Sequence, residues 1–360
     1  MDILVIGWAV LGLLLLVAGA EMLVRGASSL AADFGIAPLV IGLTVVAYGT
    51  SAPELAVSIS ASLQGQADVA LGNVVGSNIF NVLLILGLSA SVAPLVVARQ
   101  LIRLDVWVMV ASSVVVFLMA ADLRISRLDG VLLVGGCLVY TGWLIREARR
   151  DSGSNAGAAE IVAPVPARRS VLFVALGLVL LVVGAKWLVD GAVALARSSG
   201  VSELVIGLTI VAAGTSLPEL ATSVTASLRG ERDIAVGNVV GSNIFNLLAV
   251  LGGSATISPG GIGVSETATT LDIPVMVAVA IACLPIFFSG YRIDRWEGLF
   301  FLACYGAYAV YLLLDASRSQ ALDLYRGAML WFVLPLVAVT LLALSLHSRR
   351  KEARKGGPAR

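Results

Sequence analysis

One 49-residue stretch occurs twice in this chain without a gap: residues 39–87 and 204–252 are identical at 35 of 49 positions. The first copy contains LVIGLTVVAYGTSAPEL and ALGNVVGSNIFNVLLILG. The second contains LVIGLTIVAAGTSLPEL and AVGNVVGSNIFNLLAVLG. A chain that repeats itself in this way folds as two copies of one unit, so the repeat constrains the fold before any single motif does. In each copy one glutamate, Glu54 or Glu219, sits in the middle of an apolar stretch. The composition fixes the setting. Of 360 residues, 59% are hydrophobic and 13% charged, with mean hydropathy +0.98. A soluble domain carries about 25% charged residues, so this chain is expected to cross a lipid bilayer. A carboxylate inside a bilayer is expensive and marks a functional site by default.

Other classes are excluded quickly. A net charge of +1 offers no basic face for nucleic acid. Cys137, Cys283 and Cys304 lie in apolar runs, too far apart for a metal motif, and read as small helix hydrophobes. Only Asp2 precedes the first apolar run, and no small-residue cleavage site follows it, so the N-terminal run is expected to remain as a span rather than serve as a signal peptide.

A spanning helix needs about 20 apolar residues. The pattern predicts eleven, at 3–24, 36–63, 69–93, 104–121, 128–146, 170–196, 202–228, 234–257, 272–289, 295–314 and 327–346. The intervening 148–169, with DSGSNAGAAE and APVPARR, reads as a linker. With the N-terminus outside, the inner segments hold 18 Arg and Lys and the outer ones five. That asymmetry places the linker and the C-terminus in the cytoplasm.

The duplication extends beyond the two motifs. LDVWVM at 104–109 matches LDIPVM at 271–276, and Gly19-Ala20 matches Gly184-Ala185. Each half therefore holds five helices, and an odd number inverts the second copy. The turn SLQGQAD (62–68) has no basic residue, while its equivalent SLRGERD (227–233) has Arg229 and Arg232, as expected if the two face opposite sides. The expected fold is an all-α polytopic membrane protein. Its first repeat is 1–147, its cytoplasmic linker 148–169 and its inverted second repeat 170–314. An extra transmembrane helix and basic tail occupy 315–360. Inverted repeats are typical of secondary transporters, which bind substrate where the halves meet.

Ala47, Thr50, Ser51 and Glu54 follow the spacing i, i+3, i+4, i+7 and share one helix face. Ala212, Thr215, Ser216 and Glu219 repeat the pattern. Pro53 and Pro218 should break these helices and free the carbonyls of Gly49 and Gly214. A carbonyl freed inside a bilayer needs a partner, and a cation is a natural one. Ser77 and Asn81, with their copies Ser242 and Asn246, form a polar stripe on an otherwise apolar helix and are candidate ligands. Asn73, Asn78, Asn238 and Asn243 read as structural. Gly72 with Gly76, and Gly237 with Gly241, allow close helix approach. The donors are all oxygen; the single His, His347, lies near the C-terminus. Oxygen-only sites suit hard cations such as Ca²⁺ and Na⁺. Two glutamates balance one Ca²⁺ or two Na⁺, so one ion type excludes the other.

GTSAPEL and GTSLPEL, each followed by GNVVGSNIFN, resemble the α-repeats of the Ca²⁺/cation antiporter superfamily, in its prokaryotic Na⁺/Ca²⁺ exchanger branch. The resemblance covers residues 1–314. It implies a ten-helix exchanger of the bacterial or archaeal inner membrane, with ion sites formed by the second, third, seventh and eighth helices. By motif position it implies ligands from the side chains of Glu54, Glu219, Thr50, Ser51, Thr215 and Ser216 and the carbonyls of Ala47 and Ala212, with Ser77, Ser242 and Asn81 nearby. It implies Na⁺ moving inward and Ca²⁺ outward. Asn246 stands where some relatives carry Asp, which argues against K⁺ co-transport.

No cofactor and no obligate protein partner is implied; the partners are the two ions and the bilayer. Two alternatives stay open. A carboxylate can carry a proton in place of Na⁺, which would make the protein an H⁺/Ca²⁺ antiporter. Two symmetric halves could also line a cation channel, although a selectivity ring is usually built from more copies. The motifs HExxH and GxSxG are absent, which argues against an intramembrane enzyme.

Overall fold

Close backbone approach organises the periphery of the molecule. In this computed structural model, which describes residues 3–152, 167–200, 212–288 and 290–329 and isolated positions beyond them, α1 (Ile3–Phe34) and α7 (Ala167–Ser198) run side by side over most of their length. Glycines spaced seven residues apart make this possible. A Cβ on Gly19 would lie 2.7 Å from Leu181 N, and one on Gly184 would lie 2.5 Å from Leu16 N. Without a hydrophobic drive between helices in lipid, contact at this range supplies van der Waals attraction instead.

After α1 the first repeat continues through α2 (Pro38–Thr50), α3 (Ala52–Leu63), α4 (Ala67–Val92), α5 (Leu101–Asp122) and α6 (Arg127–Ser152). After α7 the second continues through α8 (Ala212–Gly214), α9 (Leu217–Leu228), α10 (Arg232–Ile257), α11 (Ala268–Phe288) and α12 (Arg295–Ala316). A short α13 (Leu322–Ala328) follows. Among the described residues eight helices are long and apolar enough to span a bilayer, and the bent pair α2–α3 makes a ninth. The protein is thus an all-α polytopic membrane protein.

Burial sorts the spans into a core and a rim. The most apolar stretch of α4 is 72% buried and that of α10 is 89% buried, against 28% for α1 and α7 and 6% for α12. Apolar side chains such as Leu138 and Val139 on α6 and Leu14 on α1 face outward, as lipid-facing positions should. Small residues again set the contacts between rim and core. A Cβ on Gly130 of α6 would lie 2.6 Å from Thr256 N of α10, and one on Gly298 of α12 would lie 2.6 Å from Gly87 O of α4.

Four two-residue strands, which the sequence does not predict, cap the bundle: β1 (Leu95–Val96), β2 (Arg124–Ile125), β3 (Ile262–Gly263) and β4 (Arg292–Ile293). β1 pairs antiparallel with β4, and β2 with β3. Since α5 separates β1 from β2, and α11 separates β3 from β4, the repeat equivalents β1 and β3 lie at opposite ends of the bundle. An inverted repeat produces this arrangement.

Several boundaries differ from the sequence reading. Helix α6 runs to Ser152 and α7 begins at Ala167, so helical turns enter both ends of the 148–169 stretch. The span expected at 202–228 is seen as α8 and α9, with most of 201–211 outside the described residues. Most of the span expected at 327–346 also lies outside them.

Candidate functional site

Each repeat breaks its second helix at a serine. Ser51 has φ −82° and ψ 9°, and Ser216 has φ −89° and ψ 6°. Both lie in the sparsely populated bridge region of backbone space. Helices α2 and α3 meet at 44°. The expectation that Pro53 and Pro218 cause the break from inside the helix is corrected here. Each proline occupies the first turn of the new helix, where its missing N–H costs nothing and its fixed φ is preorganised. Glu54 and Glu219 fall in that same first turn, where the positive end of the helix dipole favours a carboxylate.

The two broken helices then bond across the pseudo-dyad. Ser51 Oγ donates to Glu219 Oε1 at 2.8 Å, and Ser216 Oγ donates to Glu54 Oε1 at 3.0 Å. Thr50 Oγ1 donates to Asn238 Oδ1 at 3.1 Å, and Thr215 Oγ1 to Asn73 Oδ1 at 3.2 Å. Each motif is therefore completed by the other repeat. Asn73 and Asn238 use their amide protons nearer home. Asn73 Nδ2 donates to the Glu54 carbonyl (3.2 Å) and Ser58 Oγ (2.9 Å), and Asn238 Nδ2 to the Glu219 carbonyl (3.3 Å) and Ser223 Oγ (2.9 Å). These asparagines pin the glutamate-bearing turns.

A second layer links α4 to α10. Asn78 Nδ2 donates to the Asn243 carbonyl at 3.2 Å, and Asn243 Nδ2 to the Asn78 carbonyl at 3.3 Å. Asn81 Nδ2 donates to Asn243 Oδ1, and Asn246 Nδ2 to Asn78 Oδ1, at 3.0 and 3.1 Å. Asn81 and Asn246 each open a widened π-helical turn, Asn81–Leu86 and Asn246–Leu251. Such turns recur at functional sites. The spacing of polar residues reveals neither these turns nor the reciprocal pairing of Asn78 with Asn243.

Ser77 and Ser242 part company. Ser77 Oγ lies 3.0 Å from Ser216 Oγ, whereas Ser242 Oγ donates to the Ala47 carbonyl at 3.4 Å. That carbonyl also accepts from Ser51 N (3.0 Å) and Thr50 Oγ1 (3.3 Å). Three donors therefore surround the carbonyl that the resemblance implies as a ligand. Ala212 opens α8.

The accounting of acceptors is the informative part. Glu54 and Glu219 are fully buried, and one oxygen of each, Oε2, has no hydrogen-bond partner. Asn81 Oδ1 and Asn246 Oδ1 are likewise buried and unpartnered. An unmade hydrogen bond on a buried group costs about 1–3 kcal/mol, and more where the group is charged. Four such oxygens on the facing elements of one network are four acceptors without protons to accept. Among the described residues no Lys, Arg or His bonds to either glutamate. Among the described residues no three His, Cys, Asp or Glu side chains converge, so the donors are a mixture of carboxylate, amide and hydroxyl oxygens.

A further pair of acids, Asp105 buried and Asp272 half-buried, lies outside this network. Tyr140 OH donates to Asp105 Oδ1 at 2.9 Å, and Tyr308 OH to Asp272 Oδ1 at 3.0 Å. These bonds tie α5 to α6 and α11 to α12. The matching LD dipeptides at 104–105 and 271–272 are the sequence signal for them.

A membrane bundle built from two copies of one unit, with two facing acids sealed inside a proton-poor oxygen network, has the architecture of an ion transporter. The sodium/calcium exchanger protein family model matches residues 4–146 and 169–314, and the chain belongs to that family. The family comprises secondary transporters, not enzymes. Among its relatives, the inner membrane protein YrbG of Escherichia coli (strain K12) is 42% identical over 278 residues, which is 76% of this chain and 85% of that one. The sodium/calcium exchanger MaX1 of Methanosarcina acetivorans is 34% identical over 339 residues, covering 84% of this chain and 96% of that one. A solved structure of the sodium-calcium exchanger NCX_Mj superposes with a TM-score of 0.74 at 33% identity, covering 85% of this chain and 97% of that one.

Proposed function

We propose that the protein exchanges Na⁺ for Ca²⁺ across the inner membrane by alternating access, at the site built around Glu54 and Glu219. Na⁺ moves inward and Ca²⁺ outward. The observation that carries this reading is the set of four buried, unpartnered oxygens: Glu54 Oε2, Glu219 Oε2, Asn81 Oδ1 and Asn246 Oδ1. Hard cations take oxygen ligands, and Ca²⁺ tolerates the irregular geometry that mixed carboxylates, amides and hydroxyls offer. The exchanger names carried by the family and by relatives such as MaX1 support the same ions.

The coupling follows from charge. Two carboxylates balance one Ca²⁺ or two Na⁺, so the two ion types compete for one pocket. An uncompensated double negative charge sealed from water costs far more than a neutralised one. Crossing with the site empty is therefore slow, and each ion leaves only when the other replaces it. Thr50, Ser51, Thr215 and Ser216 supply hydroxyls that can turn their oxygens toward a cation, and Ser77 and Ser242 stand behind them. In this reading the repeats are 1–147 and 170–314, joined by the cytoplasmic 148–169. The segment 315–360 anchors the C-terminus inside, in agreement with the bias of basic residues toward that face.

The decisive measurement is uptake of ⁴⁵Ca²⁺ into proteoliposomes. A Na⁺ gradient at fixed pH should drive it, and a pH gradient at fixed Na⁺ should not. Uptake driven by the pH gradient alone would replace Na⁺ with H⁺ in this scheme. Flux without any counter-ion would make the protein a channel.

A further inference from the structure

The two repeats differ at the turn that follows the glutamate-bearing half-helix. Gln64 and Gln66 in the first repeat are replaced by Arg229 and Glu231 in the second. Both replacements reach α1. Arg229 Nε donates to Glu21 Oε2 at 2.6 Å, and a second guanidinium nitrogen pairs with Glu21 Oε1. Ser28 Oγ donates to Glu231 Oε1 at 2.8 Å. At the first-repeat turn Gln64 Nε2 donates to Ser60 Oγ within its own helix, and no described bond joins that turn to α7. Lys186 and Val193 of α7 stand where α1 carries Glu21 and Ser28.

Packing follows the bonds. Helix α1 lies along α9, but its equivalent α7 barely touches α3. The consequence is visible at matched positions: Thr222 on α9 is 0% exposed and Val57 on α3 is 39% exposed. Pro218 is buried and Pro53 is not. Asn238 is buried, while Asn73, bonded to Thr215, is half-buried. The flank of α9 is covered and the flank of α3 is exposed. A cavity of about 300 Å³, lined in part by Arg25, Ser28, Arg229 and Glu231, lies beside the ion pair, so the pair can separate without leaving a dry void.

We infer that the Glu21–Arg229 pair is a latch that holds the α1–α7 pair against α9, keeping the face that bears Arg229 closed while the opposite face is open. Glu21 and Arg229 act as positioning residues: they touch no ion and set which side of the site meets water. The inference rests on the alternating-access reading above. It also gives the arginines of SLRGERD a role beyond fixing topology.

The test combines accessibility with transport. In a background with Cys137, Cys283 and Cys304 replaced by Ala, single cysteines are placed at Thr222 (T222C) and Val57 (V57C) and labelled with a membrane-impermeant maleimide. R229Q should speed labelling of T222C about two- to five-fold and slow that of V57C, the scale of a partly exposed ion pair. E21Q should do the same, and the double variant no more than either alone. R229K should restore slow labelling. R25Q, which removes only the Arg25–Glu21 bond, should leave labelling unchanged. Unaltered labelling in R229Q, an additive double variant, or an equal effect of R25Q would overturn the latch. The labelling needs no transport, so loss of Na⁺-driven Ca²⁺ flux in the parent protein would overturn the exchange reading and leave the latch to be judged separately. In flux, R229Q should lower the apparent KM for Ca²⁺ at the latched face and raise it at the other.

Discussion

The half-helices α3 and α9 begin with almost the same residues, Ser-Ala-Pro-Glu and Ser-Leu-Pro-Glu, yet they occupy different surroundings. Helix α9 is covered by α1, and α3 is largely uncovered. The chemistry that reaches the pocket is nevertheless the same on both sides: a serine crossing to the opposite glutamate, a threonine crossing to the opposite asparagine, and one carboxylate oxygen left over. Duplication has preserved the donors and relaxed the packing. An alternating-access protein needs this division, because its site must serve both faces while only one face is open at a time.

The strongest challenge to the equivalence of the two acids is to neutralise them one at a time. Glu54→Gln and Glu219→Gln should each abolish Ca²⁺ exchange, with a loss of ~10²–10⁴-fold, since removing one partner of a buried charge pairing costs about 3–5 kcal/mol. Both variants should still purify as folded protein, because each glutamate's backbone carbonyl is what its neighbouring asparagine holds. A variant that exchanges normally would remove that glutamate from the site. A large difference between the two would show that the halves are not equivalent in chemistry either.

The packing difference can be probed through glycine. A Cβ on Gly241 would lie 2.6 Å from Leu43 O and 2.8 Å from Ala47 Cβ, whereas one on Gly76 meets nothing within 4 Å among the described residues. Gly241→Ala should destabilise by about 1–3 kcal/mol through overpacking. Gly76→Ala should be neutral, or stabilising by up to about 1 kcal/mol through helix propensity. Thermal unfolding in detergent reads the difference as a drop in Tm for the first variant alone. Equal shifts would mean that α4 and α10 are packed alike.

Much of this was legible in the sequence because it is periodic. The repeat, the spans and the shared face of Thr50, Ser51 and Glu54 all follow from spacing. What was not legible depends on which copy meets which. Two near-identical motifs cannot reveal whether Ser51 serves Glu54 or Glu219, since both pairings satisfy the same pattern. The break at Ser51 was placed at Pro53 because a proline within an apolar run looks like an interruption, whereas at the first turn it is a start. The bond from Ser242 to the Ala47 carbonyl was hidden too, since the two lie in different repeats. The openness of the first half could not be inferred from near-identity. Its traces were the change from Gln64 and Gln66 to Arg229 and Glu231, which reads first as topology, and the change from Glu21 and Ser28 to Lys186 and Val193.

The two asparagines that pin the acidic turns offer a finer comparison. Asn238 is fully buried, and its loss removes its hydrogen bonds with Thr50 Oγ1, the Glu219 carbonyl and Ser223 Oγ where no water can replace them. Asn238→Ala should cost about 1–3 kcal/mol. Asn73 makes the same bonds in a half-buried place, where water can substitute. Asn73→Ala should cost less than about 1 kcal/mol. Chemical unfolding of the two variants checks the order, and a reversed order would place the solvated cleft on the other side of the site.

The smallest expected effect separates Ser77 from Ser242. Ser216 has a single hydroxyl proton and two acceptors within reach, Glu54 Oε1 and Ser77 Oγ, each at 3.0 Å. Ser77 thus offers Ser216 an alternative acceptor, which lets the hydroxyl proton turn away from the carboxylate when a cation takes its place. Ser242 has no such place in its chain, because it gives its proton to a carbonyl that is already satisfied twice. Ser77→Ala should therefore weaken Ca²⁺ binding by a few-fold, about the worth of one modest hydrogen bond, and Ser242→Ala should change it less. Isothermal titration of Ca²⁺ against both variants would decide the matter. Equal losses would mean that both serines face the ion directly, and that their different hydrogen bonds reflect only the state in which the protein is seen.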